Sequence, residues 1–389
     1  MQCFDANKSL IVLDQDSTLV AVIEMSLSGW LVAGVVPGLK RQPKKKLDPD
    51  PDALLALLQR WRNEAMKAGR QVERMTVAYE AGRDGFWLAR WLNGRGIEAY
   101  VIHPSSIPVP REHRRAKTDR LDTELLMRAF LGWLRGEVKH CTMAAIPTLE
   151  EEDAKRPNRE HQMLTGERTR LINRLKSALI RLGIRNFKPT LGKAAERLAE
   201  LRTPEDVPLP ENTLAELKRD MARLSLVKDQ IKAIERDRLV RIAKAANHGP
   251  NVMVQLIAQV IGIGLETADM LVQEILSRNL RDRRAVARYG GLTGSPDESG
   301  SRRREKGLPR SGNSRVRRGM IEFAWRFLQF QSDSPLAEWY RNQTQSGRKD
   351  VRKRTIVALA RKLLIALWRL ATQGVVPEGI ALRKASATH

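Results

Sequence analysis

Cysteine is nearly absent. Cys3 and Cys141 are the two in 389 residues, so the chain can build neither a disulfide framework nor a cysteine-rich zinc site. Long apolar runs are missing as well: no stretch reaches the roughly eighteen consecutive apolar residues that a membrane-spanning helix needs, and the N-terminus lacks the charged-then-apolar pattern of a secretory signal. Acidic side chains are in deficit, 45 Asp plus Glu against 69 Lys plus Arg, for a formal charge of +24. Such an excess spreads positive potential over much of the surface and favours salt-sensitive binding of a polyanion. Nucleic acid rather than a membrane is the expected partner, and a cytoplasmic location is expected with it.

With 42% hydrophobic residues, a chain of this length can bury sizeable cores and is expected to hold two or three domains. In the first part, TLVAVIE and WLVAGVV read as a hairpin around MSLSG, and the basic segment LKRQPKKKLD as a third strand. DPDPD marks a helix start, with Asp52 as the expected cap of ALLALLQRWRNEAMKAG and Gly69 as its end. The strand RMTVAYE, the helix FWLARWLNG, the strand IEAYVIH, a Pro-rich basic loop and a helix from Thr118 to about Trp133 follow. A three-stranded meander followed by alternating helices and strands is the order of an α/β RNase H-like fold. Residues 138–246 turn to long, charged helical periodicity, as in ERTRLINRLKSALIRLG, expected as a helical hairpin or coiled coil. Residues 247–389 read as a mainly α-helical domain, leaving 1–137 for the α/β domain.

Four acids of the first domain stand at element ends. Glu24 and Glu80 each end an apolar run, and Asp119 and Asp122 stand i, i+3 near a helix start, so that they project from one face. Carboxylates gathered without basic partners repel one another. A hard divalent cation, Mg²⁺, would relieve this and keep positions open for phosphate and water, and two such ions can assist phosphoryl transfer. Asp14 and Asp16 also end an apolar run, and Asp14 is the alternative to Glu24 as first acid.

Two features stand out further along. In VIGIGLETA, Gly262 and Gly264 bracket an isoleucine before a helix start, a turn whose backbone amides can hold a phosphate without reading sequence. Between Arg278 and Arg318, thirteen Lys or Arg face four acids. There Ser299 lies in an expected flexible Glu-Ser-Gly turn before Arg302, Arg303, Arg304 and Lys306, with Arg315, Arg317 and Arg318 beyond. A serine hydroxyl needs activation to attack, and guanidinium groups suit the charge of a phosphate.

YEAGRDG, KTDRLDT, GLTGSPDESGSRRR and SGNSRVRRGM together resemble segments of the transposases of insertion-sequence family 110, the DEDD transposases, understood as bridge-RNA-guided recombinases. The resemblance spans essentially the whole chain. It implies a RuvC-like domain whose Mg²⁺ is held by Glu24, Glu80, Asp119 and Asp122, a coiled-coil segment, and a C-terminal transposase domain with a helix-hairpin-helix-like element. It also implies Ser299 as the nucleophile that joins covalently to DNA, donor and target DNA as partners, a guide noncoding RNA, and a homo-oligomer, dimer or tetramer. Two departures accompany it. The first acid of the family is normally Asp where this chain has Glu24, and Gly294 replaces the usual proline after Gly-Leu-Thr. The competing expectations are a metal-dependent nuclease of Holliday-junction type, with Ser299 incidental, and a non-enzymatic nucleic-acid scaffold.

Overall fold

The structure, a computed structural model, describes residues 9, 11–108, 118–137, 140–244, 249–294, 296–299, 302–305, 307–308 and 311–383, the side chains of Asp119, 296–299 and 302–305 excepted. The expected Pro-rich basic loop falls largely outside these residues, as does Lys306. The chain divides into two compact units, Met1–Glu150 and Glu151–His389.

The first unit is built on a six-stranded sheet in the order β3-β2-β1-β4-β5-β6. Strands β1 (Thr18–Met25), β2 (Trp30–Val35) and β3 (Lys44–Leu47) form an antiparallel meander. β4 (Arg74–Glu80) lies parallel to β1, and β5 (Glu98–Ile102) parallel to β4. The two-residue β6 (Met143–Ala144) closes the far edge antiparallel to β5. β1 is apolar on both faces because both are covered. Leu19, Ala21 and Ile23 pack with helices α1 (Pro51–Lys67) and α2 (Trp87–Asn93), whereas Val20 and Val22 pack with α3 (Asp119–Leu134).

The cap of α1 is Asp50 rather than the expected Asp52: the Asp50 carboxylate accepts from Asp52 N at 2.9 Å, and Pro51 takes the first helical position. Proline there needs no amide partner, so the cap moves to the residue before it. Thr118 caps α3 through its hydroxyl, 3.3 Å from Leu121 N. This helix crosses the sheet obliquely. Glu124, near its start, accepts from Lys44 of β3 at 2.6 Å, whereas Phe130 and Trp133, near its end, pack on Tyr100 of β5.

Among the described residues, the second unit is helical apart from one hairpin and two isolated bridges. After α4 (Leu149–Asp153), which spans the division of the chain, two long helices, α5 (Arg156–Arg181) and α7 (Glu211–Lys244), pack through Leu164, Leu171, Leu175, Leu217, Leu224 and Ile231 with α6 (Ala194–Ala199) against them. Arg174 of α5 forks onto the buried Asp220 of α7. A second core joins α8 (Pro250–Ala258), α9 (Leu265–Leu271) and a π-helical turn (Val272–Leu276) to α10 (Arg283–Tyr289), α11 (Ser314–Phe330), α12 (Pro335–Gln343) and α13 (Lys349–Gln373). Among the described residues, no helix is long and apolar enough to cross a membrane.

One tie between α5, α7 and α9 is ionic. The His161 ring sits 3.1 Å from carboxylate oxygens of both Glu235 and Glu266. The bond to Glu266 raises the His161 pKa from its ordinary 6.5, helped by Glu235 and opposed by burial and by Arg238. His161 lowers that of Glu266 from its ordinary 4.5 in turn. A raised histidine stabilises fully below its ordinary value, and the contribution is lost as pH rises through the folded one; the lowered carboxylate contributes above 4.5 and loses it as pH falls through its own folded value. His161→Asn is therefore expected to lower the thermal midpoint most at about pH 5.5 and least at about pH 8.5. An equal loss at both pH values would refute the ionic tie.

Candidate active site

The acids of the first unit sit where two parallel strands end. The ladder of β1 and β4 pairs Ile23 with Tyr79, so Glu24 and Glu80 are one residue beyond it on neighbouring strands, roughly 5 Å apart at the backbone. Side chains alternate across a sheet. Glu24 therefore continues the row of Val20 and Val22, and Glu80 that of Ala78, all facing α3. On that helix, Asp122 precedes the buried Leu126 by four residues and Ala129 by seven, so it extends the sheet-facing stripe by one turn. Asp119 stands at the first position of the helix, one turn earlier. Three carboxylates thus prolong three apolar rows beyond the core they share, and Glu24 and Asp122 are half-buried.

Asp14 occupies the other end of β1. Its carboxylate accepts from Ser17 Oγ at 2.6 Å and Asp16 N at 3.0 Å, closing the turn that leads into the strand, and the strand itself rises about 20 Å from Thr18 to Glu24. Those bonds, the Ser17 hydroxyl first, hold its pKa below the usual carboxylate range. As oxygen donors, Glu24, Glu80 and Asp122 fit a hard cation of the Mg²⁺ type. Among the described residues, no three His, Cys, Asp or Glu side chains converge closely enough to form a metal site; the Asp119 side chain lies outside that description.

The cation-rich segment of the second unit is organised differently from the expected flexible turn. Its backbone pairs as an antiparallel hairpin, β7 (Pro296–Ser299) with β8 (Arg302–Glu305), Ser299 opposite Arg302 and Glu298 opposite Arg303. Ser299 is the last residue of its strand. The segment leaves the helical core through a narrow neck. A Cβ on Gly312, at φ +86°, would stand 2.6 Å from the Gly291 Cα, and Asn313 N donates to Tyr289 O at 2.6 Å. Only glycine admits that approach and that backbone angle together. Beyond the neck, α11 begins with Arg315 half-buried, its Nε inside the protein, with the Arg317 guanidinium against Gly291 and with Arg318 exposed.

The Gly262–Gly264 turn is held from behind by α11's end and by the C-terminal segment of the chain. Gln331 Nε2 donates to Ile261 O at 2.7 Å, and the Arg383 guanidinium to Ala258 O at 2.8 Å and Ile263 O at 3.0 Å. Gly264 is the N-terminal flank of α9, and a Cβ there would meet nothing within 4 Å. The turn is therefore hydrogen-bonded on its inner side and open at Gly264.

Sequence reasoning missed the buried polar network behind these features. Asp269, 0% exposed, accepts from Asn158 Nδ2 at 3.0 Å and Arg241 at 2.8 Å, with Arg238 Nε at 3.3 Å. Glu274, 1% exposed, meets Arg159 and Asn313. The available signal was a charged pair of positions inside apolar helices, LETADMLVQEIL, where an unpaired carboxylate would be too costly to bury.

An α/β unit with Glu24 and Glu80 at the ends of its central parallel strands is joined to a helical unit that carries an arginine-rich hairpin, in a chain whose excess of positive charge suits a polyanion. The family model described as "Transposase IS116/IS110/IS902 family" matches residues 254–341, the stretch that contains the Gly262–Gly264 turn, the hairpin and α11. A protein of Sinorhizobium fredii (strain NBRC 101917 / NGR234) described as "Putative transposase y4rJ" is 40% identical over 371 residues, 93% of this chain and 93% of its own length. The chain belongs to the IS116/IS110/IS902 family of transposases.

Proposed function

We propose that this transposase cleaves and exchanges DNA strands by serine-dependent transesterification, with the first unit in the role of an RNase H-like (RuvC-like) metal domain. The observation that carries the reading is the β1–β4 register, which aligns Glu24 with Glu80 on the face where α3 presents Asp122. The sheet order β3-β2-β1-β4-β5, antiparallel through β1 and parallel beyond it, supports the RNase H-like assignment. Glu24, Glu80, Asp119 and Asp122 would hold Mg²⁺, which when bound supplies charge neutralisation at the reacting phosphate.

In the reaction, Ser299 Oγ forms a bond to the phosphorus of a DNA phosphodiester. The bond from phosphorus to a deoxyribose oxygen breaks, and the serine proton passes to that leaving oxygen. Attack by the hydroxyl of a second strand reverses the chemistry and frees the serine. One phosphodiester replaces another, so no external energy source is needed. Arg302, Arg303, Arg304, Lys306, Arg315, Arg317 and Arg318 would neutralise phosphates along the two strands, and the Gly262–Gly264 turn would hold a backbone phosphate. The long α5–α7 pair acts as a coiled-coil arm in a homo-oligomer, and a noncoding RNA that pairs with donor and target selects the sequences, as the family resemblance implies.

Strand exchange between two plasmids tests this, reconstituted with and without RNA transcribed from DNA flanking the gene. Exchange that requires the RNA and passes through a covalent protein–DNA species is expected. RNA-independent exchange overturns the guide, and hydrolytic cutting with no covalent species overturns the transesterification.

A further inference from the structure

We infer that Glu274 is a positioning residue that sets the start of α11, and with it one end of the segment carrying Ser299, by dictating the orientation of the Asn313 side chain. The inference rests on the preceding reading only in taking that segment as the part that acts on DNA.

Glu274 lies in the π-helical turn that follows α9, surrounded in the chain by the fully buried Val272 and Ile275. Its carboxylate accepts from Arg159 Nε at 3.0 Å, from the same guanidinium's terminal nitrogen at 3.3 Å, and from Asn313 Nδ2 at 2.9 Å. The other half of the Asn313 amide is committed elsewhere: Oδ1 caps α11, accepting from Arg315 N at 3.0 Å and Val316 N at 3.2 Å. An amide has one oxygen and one NH₂. With the oxygen taken by helix N–H groups, the NH₂ is left to donate, and the buried Glu274 carboxylate is the acceptor it meets. Burial pushes the Glu274 pKa up, but the bonds from Arg159 and Asn313 and the charge of Arg315 outweigh it and hold the group ionised.

A role in stability alone accounts poorly for this arrangement. A buried ion pair stabilises little compared with well-packed apolar residues of the same volume, and π-helical turns cluster at functional sites despite their poorer geometry. The placement accounts for it better. Asn313 follows Gly312, whose approach to Gly291 forms the neck of the hairpin segment, and it precedes Arg315, Arg317 and Arg318. A rotated Asn313 would turn both the neck and the first turn of α11.

The hydrogen bond can be reversed without changing net charge, and that gives the test. Glu274→Gln places an NH₂ where the carboxylate accepted from Asn313. Asn313→Asp sets a second carboxylate against the first. In the double variant, the new amide NH₂ at position 274 donates to the new carboxylate at position 313. The amide oxygen at 274 remains available to Arg159, and the carboxylate at 313 still caps the helix. Measured as the rate of strand exchange at saturating DNA, each single variant is expected to fall at least about tenfold, the scale of a lost hydrogen bond to a charged group. DNA affinity should stay within about threefold, and the double variant should return to within about threefold of the parent rate. Single variants with parental rates, or a folded double variant no faster than the singles, would overturn the inference. If a single variant does not fold, Asn313→Ser serves instead. Serine retains the cap but lacks the donor that reaches Glu274, so a slow rate is expected and a parental rate refutes the role. The swap reads exchange whatever atom attacks DNA, so its failure counts against Glu274, whereas unimpaired exchange by Ser299→Ala counts against the nucleophile.

Discussion

Ser299→Ala is expected to abolish strand exchange and the covalent protein–DNA species while leaving DNA affinity within about twofold of the parent, since one uncharged hydroxyl contributes little beside the many phosphate contacts of a +24 chain. Losing a nucleophile typically costs about 10⁴-fold or more in rate, which in a strand-exchange assay reads as no product. The serine stands at the end of β7, paired through its backbone to Arg302, so its position is set by a ladder rather than by a loop. Truncating the side chain to a methyl group leaves that ladder intact. Ser301→Ala, two residues on, is the matched control and should retain exchange. Product formation by Ser299→Ala at more than about a tenth of the parent rate would return the chemistry to metal-assisted hydrolysis, with the serine a turn residue.

How much of this was legible from residues alone varies with the kind of force involved. β1, β2, β4, β5 and α1 to α3 were readable because each couples an apolar pattern to a boundary signal, whereas the basic, exposed β3 was legible only from its place after the β1–β2 hairpin. TLVAVIE and RMTVAYE are buried runs that stop at an acid, and Thr118 caps a helix whose stripe is Leu126, Ala129 and Phe130. The two-residue β6 was not readable, since Met143 and Ala144 become a strand only by pairing with Val101 and Ile102. The β7–β8 hairpin escaped for a related reason: PDES and RRRE have no apolar alternation, and their Gly/Ser junction carries the composition of a loop. Placing the α1 cap at Asp52 overlooked Pro51, which fixes the first helical position and so the cap before it.

The candidate site divides in the same way. Glu24 over Asp14 was a preference drawn from element order, and the structure separates the two by the length of a strand: Asp14 is committed to a turn through Ser17 and Asp16, while Glu24 shares a face with Glu80. The Glu274–Asn313 pair was beyond sequence reading. Its partners lie 39 residues apart, and Arg159 lies 115 residues from Glu274; VQEIL signals that an enclosed glutamate needs a partner but not which residue supplies it.

The largest effect expected in the first unit is that of Asp122→Asn, which keeps the size and hydrogen-bonding shape of the side chain but removes its charge. Asp122 is half-buried on the stripe that leads into the core, so the substitution tests the electrostatics and leaves the packing alone. Strand exchange should fall by more than about 100-fold, beyond the upper end of what losing an outer-sphere partner of a metal costs. Stability supplies a readout that does not depend on activity. Without divalent cation, Asn preserves the size and packing of the side chain, so the variant's thermal midpoint should stay close to the parent's. With Mg²⁺ the two should separate: a ligand at about 100 times its Kd stabilises the parent by about 2.7 kcal/mol, and the variant should gain less than half of that. Asp14→Asn, at the far end of β1, should leave the Mg²⁺-dependent gain unchanged. Equal gains in the parent and in Asp122→Asn would mean that the acids at the strand ends hold no cation, and that the arginine-rich unit carries the phosphate chemistry alone.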